Sequence, residues 1–246
     1  MAKKNSFDPE DRAFPFSRTA LELFKECPRC FYFDRRLHTG RPSGPSFVLN
    51  VAVDTLLKKE FDAYRARGEQ HPVMSELPGD LVPFDHPSMA DWRSSRHGIR
   101  LVHAASGLEL YGAPDDIWLS RVDGSLHIVD YKATSSSKAP TLDTEHRLSW
   151  KRQLDIYAYL LEGNGFPVSE TAYFLLENAA KTPDAFDGLL RFAPTVMEYR
   201  VDTSWIDGSL VEARACLEGD APPAPGDACE WCAWAAAVTT GDGGAA

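Results

Sequence analysis

The chain has no apolar run long enough to cross a bilayer. Its opening, MAKKNSFDPEDRAF, is charged and carries no apolar stretch of the kind that marks a secretory leader. A membrane anchor and export are therefore both unexpected, and a cytoplasmic protein is the expectation. Positive charge is scarce as well: 26 Lys and Arg stand against 36 Asp and Glu, a formal net charge of −10. That balance argues against a general nucleic-acid coat, which is usually basic. It leaves room for an enzyme with a local basic groove and an acidic metal site. No internal repeat is visible, which argues against a solenoid or propeller. Cysteine is rare but patterned. Four of the five cysteines form two C-x-x-C pairs, Cys27 with Cys30 and Cys229 with Cys232. Without a secretion signal, that spacing favours metal ligation over disulfides. The fifth, Cys216, falls in a helical pattern and reads as a small core residue.

A length of 246 residues with 43% hydrophobic and 11% aromatic content suits one large domain. The expected layout is a flexible N-terminus over 1–16, a single domain over 17–234 and a flexible tail over 235–246. Ser17 is a candidate N-cap for a helix that Pro28 interrupts. FVLNVAVDTLLKKEFDAYRARG reads as a longer amphipathic helix ending near Gly68, and residues 69–97 as an irregular connection. IRLVHA, LELYGAP, DDIWL and LHIVDY then read as strands. SWKRQLDIYAYLLEGNG is a helix closed by Gly163 or Gly165. ETAYFLLEN and TVMEYRV are further strands, and TSWIDGSLVEARACLEG is a last helix. This order points to a mixed α/β sandwich.

One stretch carries the chemistry. In LHIVDYKATSSS, Asp130 and Lys132 stand two apart at the end of a buried strand, so both side chains point to one face. A structural ion pair would explain them alone, but their surroundings add more. A turn near Asp123-Gly124 would fold DDIWL back on LHIVDY as a hairpin. Asp115 would then lie beside Asp130, so two carboxylates and a lysine converge at one sheet end. Converging carboxylates attract Mg²⁺ or Mn²⁺, and a lysine beside the ion can neutralise charge developing on a phosphate. Gln153 and Tyr157, four apart on the following helix, share its face. The alternative for Asp116, next in line, is a turn or strand-edge hydrogen bond, because the strand should point it away.

Taken in order, Gly112-x-x-Asp115, Asp130-Tyr131-Lys132 and Gln153-x-x-x-Tyr157 resemble the PD-(D/E)XK nuclease superfamily. Within it, the chain is similar to the RecB-like branch, which includes CRISPR adaptation exonucleases and the nuclease domains of helicase-nucleases. The opening SRTALELFKECPRCFYFDRRL and the late CEWC add to that resemblance, which spans roughly residues 17–234. It implies an α/β restriction-endonuclease-like core, a mixed central sheet flanked by helices, with a cysteine metal site joining the N- and C-terminal segments. It also implies catalytic roles for Asp115, Asp130, Lys132, Gln153 and Tyr157. Asp115, Asp130 and the Tyr131 carbonyl would hold Mg²⁺ or Mn²⁺. Many relatives complete that shell with a histidine on the second helix, where this chain offers Asp54, a competent ligand.

The cysteine layout departs from the relatives, being split two and two between the ends. The two pairs taken alone favour Zn²⁺, whereas the resemblance favours a [4Fe–4S] cluster, and the iron–sulfur cluster is the expectation. Residues 17–41 carry six Lys/Arg against three acids. Arg18, Arg35 and Arg36 in that segment are the candidate nucleic-acid contacts, with a solvated helix face as the alternative. The function so implied is a metal-dependent DNA nuclease, an exonuclease on single-stranded or frayed ends, working in repair, recombination or defence beside a helicase or similar partner. The competing readings are a catalytically silent nucleic-acid-binding adaptor of the same fold, and a small-molecule enzyme or zinc protein whose D-x-K is structural.

Overall fold

The computed structural model describes residues 7–8, 10–11, 13–44, 47–144 and 147–240. They group into two compact units, one of the described residues within 1–45, 101–111 and 204–246, the other of those within 46–100 and 112–203.

The first unit begins with strand β1 (Phe14–Ser17) inside the segment expected to be flexible. Ser17 then caps helix α1 (Arg18–Glu26), its hydroxyl accepting from the Ala20 N–H at 3.2 Å. Pro28 cannot continue that helix but suits the first position of the next, and α2 (Pro28–Arg35) starts there. β1 pairs in parallel with a later strand through Phe14↔Leu108 to Ser17↔Tyr111. Phe16 and Phe24 meet Phe31 edge-on at 5.7 and 5.3 Å, which packs the two helices and the strand into one core.

The second unit is built on a five-stranded mixed sheet. Its helix α3 (Val48–Arg67) ends where Gly68 takes a left-handed φ of 63°, as the sequence pattern predicts. The connection read as irregular instead holds a short 3₁₀ turn at Pro72–Met74, strand β2 (Leu81–Pro83) and a one-turn helix α4 (Met89–Trp92). β2 is three residues long and contains a proline, so periodicity could not reveal it; an edge position tolerates both features. Strands β3 (Ile99–His103) and β4 (Leu108–Gly112) complete the three-stranded sheet β1-β4-β3. β5 (Asp116–Ser120) and β6 (Leu126–Thr134) form the expected hairpin, in the register Asp116↔Val129, with Gly124 at φ 76° in the turn.

Helix α5 (Leu148–Gly163) crosses over to β7 (Thr171–Ala179), which runs parallel to β6, and β8 (Phe192–Arg200) closes the order β2-β5-β6-β7-β8. Alternation along β6 divides its side chains. Val129 and Tyr131 join Leu57 and Phe61 of α3 in the core, while Asp130 and Lys132 reach Gln153 of α5. The first unit ends in α6 (Ile206–Glu218) and α7 (Glu230–Thr240). α7 runs into the segment expected to be a flexible tail from residue 235; the stretches 1–6 and 241–246 lie outside the described residues. Among the described residues no helix is long and apolar enough to cross a membrane.

Candidate active site and cysteine cage

The register of β5 and β6 sets the first site. With Asp116 opposite Val129, Asp115 comes level with Asp130 and Tyr131 of β6, and its Oδ2 accepts from the Tyr131 N–H at 2.9 Å. The N–H and C=O of one strand residue share an edge, so the Tyr131 carbonyl lies on the Asp115 side. Asp130 is fully buried. Gln153 holds it with an Nε2 that donates to Oδ1 at 2.6 Å and also donates to the Tyr157 hydroxyl at 3.1 Å. Lys132 donates to Gln153 Oε1 at 3.3 Å and forms an ion pair with Asp130. One carboxamide therefore ties together Asp130, Lys132 and Tyr157. Burial, partly offset by Lys132, pushes the Asp130 carboxyl up to about 7.

Two observations test whether a divalent cation fits. Asp130 Oδ2 is shielded from water and, among the described residues, receives no aligned hydrogen bond and has Lys132 as its close cation. Across from it, the Lys58 ammonium already stands between Asp54 Oδ1 and Asp115 Oδ1, at 2.8 and 3.1 Å. The site gathers oxygen ligands and draws in a cation, as Mg²⁺ or Mn²⁺ requires.

Asp116 faces elsewhere. It is fully buried and accepts from its own strand's Ile117 N–H and from the Tyr131 hydroxyl, both at 2.8 Å, and it pairs with Arg65 of α3. Arg65 also pairs with Asp62, and Asp62 receives Arg93 at 2.9 Å. Together these groups form a charged wall behind Asp115.

Sequence reasoning missed Lys58 and Arg65. Both look like ordinary cations of an amphipathic helix, and only tertiary contact brings them to acids far away in the chain. It also missed Trp150, whose ring lies 4.3 Å from the Arg147 guanidinium and 5.3 Å from the Lys132 ammonium. Arg18, Arg35 and Arg36 belong to the other unit: Arg18 opens α1, Arg35 pairs with Asp34 at 2.9 Å, and Arg36 lies 5.9 Å from the Phe7 ring.

The four cysteines come together. Cys27 and Cys30 straddle the start of α2, while Cys229 and Cys232 straddle the start of α7, and all four Sγ atoms lie within 4.8 Å of one another. The nearest pairs are Cys30–Cys229 and Cys30–Cys232 at 3.6 Å and Cys27–Cys232 at 3.7 Å. Cys27 is buried, which opposes ionisation. The Gly226 and Cys30 N–H groups, donating to its sulfur at 3.2 and 3.4 Å, outweigh this and bring it down to about 6. Arg41 donates to Cys229 Sγ at 3.5 Å. Four clustered cysteines with N–H and guanidinium donors around them are a donor set that could hold a metal ion. Gly226 is needed here for closeness: a Cβ on it would stand 2.5 Å from the Glu26 carbonyl oxygen.

Cys216 stays apart, its thiol raised by burial to about 11. Trp231 and Trp234 are 42% and 63% exposed on α7, a helix that buries none of its residues.

A family model of the PD-(D/E)XK nuclease superfamily matches residues 49–237. The chain belongs to this superfamily. That match covers well over half of the sequence, takes in both the carboxylate cluster and the C-terminal cysteine pair, and agrees with the mixed sheet flanked by helices. No curated protein matches the chain at a significant level. Members of the superfamily are generally phosphodiesterase nucleases, and a nuclease fold implies use of a divalent metal.

Proposed function

We propose that the chain is a metal-dependent deoxyribonuclease of the RecB-like branch, acting as an exonuclease on single-stranded or frayed DNA ends. The observation that carries this reading is the convergence of Asp115, buried Asp130 and Lys132 at one strand end, with Gln153 bonded to the last two. Mg²⁺ or Mn²⁺, held by Asp115, Asp130 and the Tyr131 carbonyl with Asp54 to complete the shell, would supply Lewis acidity at a phosphoryl oxygen. Lys132 offsets the negative charge that develops on the same phosphate. It is preorganised by Gln153, so little reorganisation is needed at the moment of reaction. Tyr157 fixes the Gln153 carboxamide from the far side.

The Trp150 ring with Arg147 and Lys132 beside it supports a single strand as substrate, since stacked bases and phosphates call for that combination. Arg18, Arg35 and Arg36 are proposed as further phosphate contacts. A repair, recombination or defence role beside a helicase, and a cytoplasmic setting that keeps the thiols reduced, extend the reading.

At the cysteines, the distances support one tetrahedral ion. Metal–sulfur bonds of about 2.3 Å place four thiolates roughly 3.8 Å apart, close to the 3.6 and 3.7 Å found here. An iron–sulfur cubane spreads its thiolates wider, one to each iron. Structural zinc is thus favoured over the cluster that the family resemblance implies.

End-labelled linear DNA with Mn²⁺ is the direct test. The protein should shorten it and stop in chelator. Asp130→Ala and Lys132→Ala should each lose at least ~100-fold in rate while still folded, because each removes several kcal/mol of transition-state stabilisation. Wild-type rates in both variants would remove the active-site assignment; tight DNA binding without any cleavage by the wild type would favour a silent adaptor.

A further inference from the structure

Lys58 belongs to no motif, yet its ammonium holds the acids that the nuclease reading needs for metal. It stands 2.8 Å from Asp54 Oδ1, 3.0 Å from Asp54 Oδ2 and 3.1 Å from Asp115 Oδ1. An exposed Asp–Lys pair one helical turn apart is worth only a few tenths of a kcal/mol, about 0.2–0.5. The reach to Asp115, 57 residues along the chain, is a different matter. It places one cation between carboxylates from two elements, and Lys58 is only 24% exposed there.

With that contact, each carboxylate oxygen of the cluster has a positive or N–H neighbour. Asp54 and Asp115 Oδ1 face Lys58, Asp115 Oδ2 faces the Tyr131 N–H, and Asp130 faces Gln153 and Lys132. With all three acids deprotonated, the state in which they would ligate a cation, two ammoniums leave the cluster at a formal −1.

We propose that Lys58 is the resident counter-ion of the metal-free site, and that a divalent cation displaces its ammonium from Asp54 and Asp115. This inference rests on the nuclease reading above. A hard divalent cation takes carboxylate oxygens at short range, and the oxygens of Asp54 and Asp115 that face each other are those Lys58 occupies. Two cations sharing them would repel one another. The backbone of α3 need not move, because Leu57 and Phe61 anchor it in the core, while the four-carbon stem of a lysine lets its head swing. With the ammonium kept nearby, the loaded site carries +1, opposite in sign to a single phosphodiester. Lys58 thus holds the acids together when the site is empty and adds positive charge when it is filled.

The test needs no catalysis. In chelator-treated wild-type protein, the Lys58 amine should react slowly with an acylating reagent, read by peptide mass spectrometry. Adding Mn²⁺ should raise its labelling several-fold while other lysines stay unchanged. Equal or slower labelling with Mn²⁺ overturns the displacement. In parallel, Mn²⁺ binding measured by calorimetry should be at least ~10-fold tighter in Lys58→Met, a gain of about 1.4 kcal/mol. Unchanged or weaker binding by that folded variant overturns it too, and should the variant not fold, the wild-type labelling decides. Asp130→Asn separates the two layers. Mn²⁺ binding that depends on Asp130, with unmoved Lys58 labelling, sinks the lysine inference alone; no Mn²⁺ binding by the wild type sinks both.

Discussion

The carboxylate site and the cysteine cage are built in opposite ways. Asp130 lies on β6, the middle strand of a five-stranded sheet, and is fully buried, with its neighbours fixed by register. There the fold comes first and the site is a consequence of it. In the other unit, α7 buries none of its residues, and three of the four cage cysteines are only half-buried. Here a metal held by the thiols, as proposed, would anchor the helix, and the site would make the local fold. A site of the first kind can lose its chemistry and keep its structure. A site of the second kind, if it holds the proposed metal, should not be emptied without local unfolding.

Loss of a cage cysteine should have the greatest consequence. Structural zinc contributes about 10–16 kcal/mol in small zinc-dependent peptides, as much as or more than the whole stability of a typical domain. Cys229→Ala should therefore cost α7 its hydrogen-exchange protection, along with the Pro-rich link before it. Amides of β6 and β7 should stay protected, because none of their partners involves a cysteine. A metal-free Cys229→Ala protein with α7 fully protected would show that the cage is not the anchor. Zinc content near one per chain with no visible chromophore is the companion measurement. Brown protein with several irons would restore the cluster.

How much of this was legible follows the same divide. The β5–β6 hairpin could be read because alternation and an Asp-Gly turn fix its register, and register alone brings Asp115 to Asp130. Gln153 and Tyr157 could be read because helical spacing puts them on one face. Lys58 and Arg65 could not, since a cation in LLKKEFDAYRAR looks solvated until the partner is known. The cysteine pairs could be read as a candidate metal site, whereas the sulfur spacing that supports the zinc proposal is carried by no sequence. Helix α7 was hidden for a simpler reason: CEWC draws attention as a ligand pair, although the alanine-rich residues after it favour helix.

The next effect is smaller and comes from the carboxylate side. Arg65 is 7% exposed and pairs with fully buried Asp116, while its Nε donates to the Phe84 carbonyl at 2.7 Å. Removing one member of a buried pair strands the other's charge, which costs about 3–5 kcal/mol. Arg65→Met should lower unfolding stability by that amount in denaturant titration. A double variant with Asp116→Asn should recover much of the loss, because it removes the stranded charge. If Arg65→Met costs less than about 1 kcal/mol, the wall behind Asp115 is not a structural support.

Loss of the Tyr131 hydroxyl should matter least, because this residue serves both the wall and the site through different atoms. The Tyr131 N–H braces Asp115, and its hydroxyl, 2.8 Å from Asp116 Oδ2, braces the wall. Tyr131→Phe removes only the second. Losing a hydrogen bond to a buried charged group costs about 1.5–3 kcal/mol, and Arg65 still neutralises Asp116, so the lower end of that range is expected. The brace on Asp115 is main-chain and survives the substitution. Cleavage of labelled DNA should then stay within ~3-fold of wild type, well under 1 kcal/mol on the barrier. Stability should fall measurably in the same preparation. The reverse pattern, intact stability with a rate loss beyond tenfold, would place the phenol in the chemistry and blur the line between wall and site.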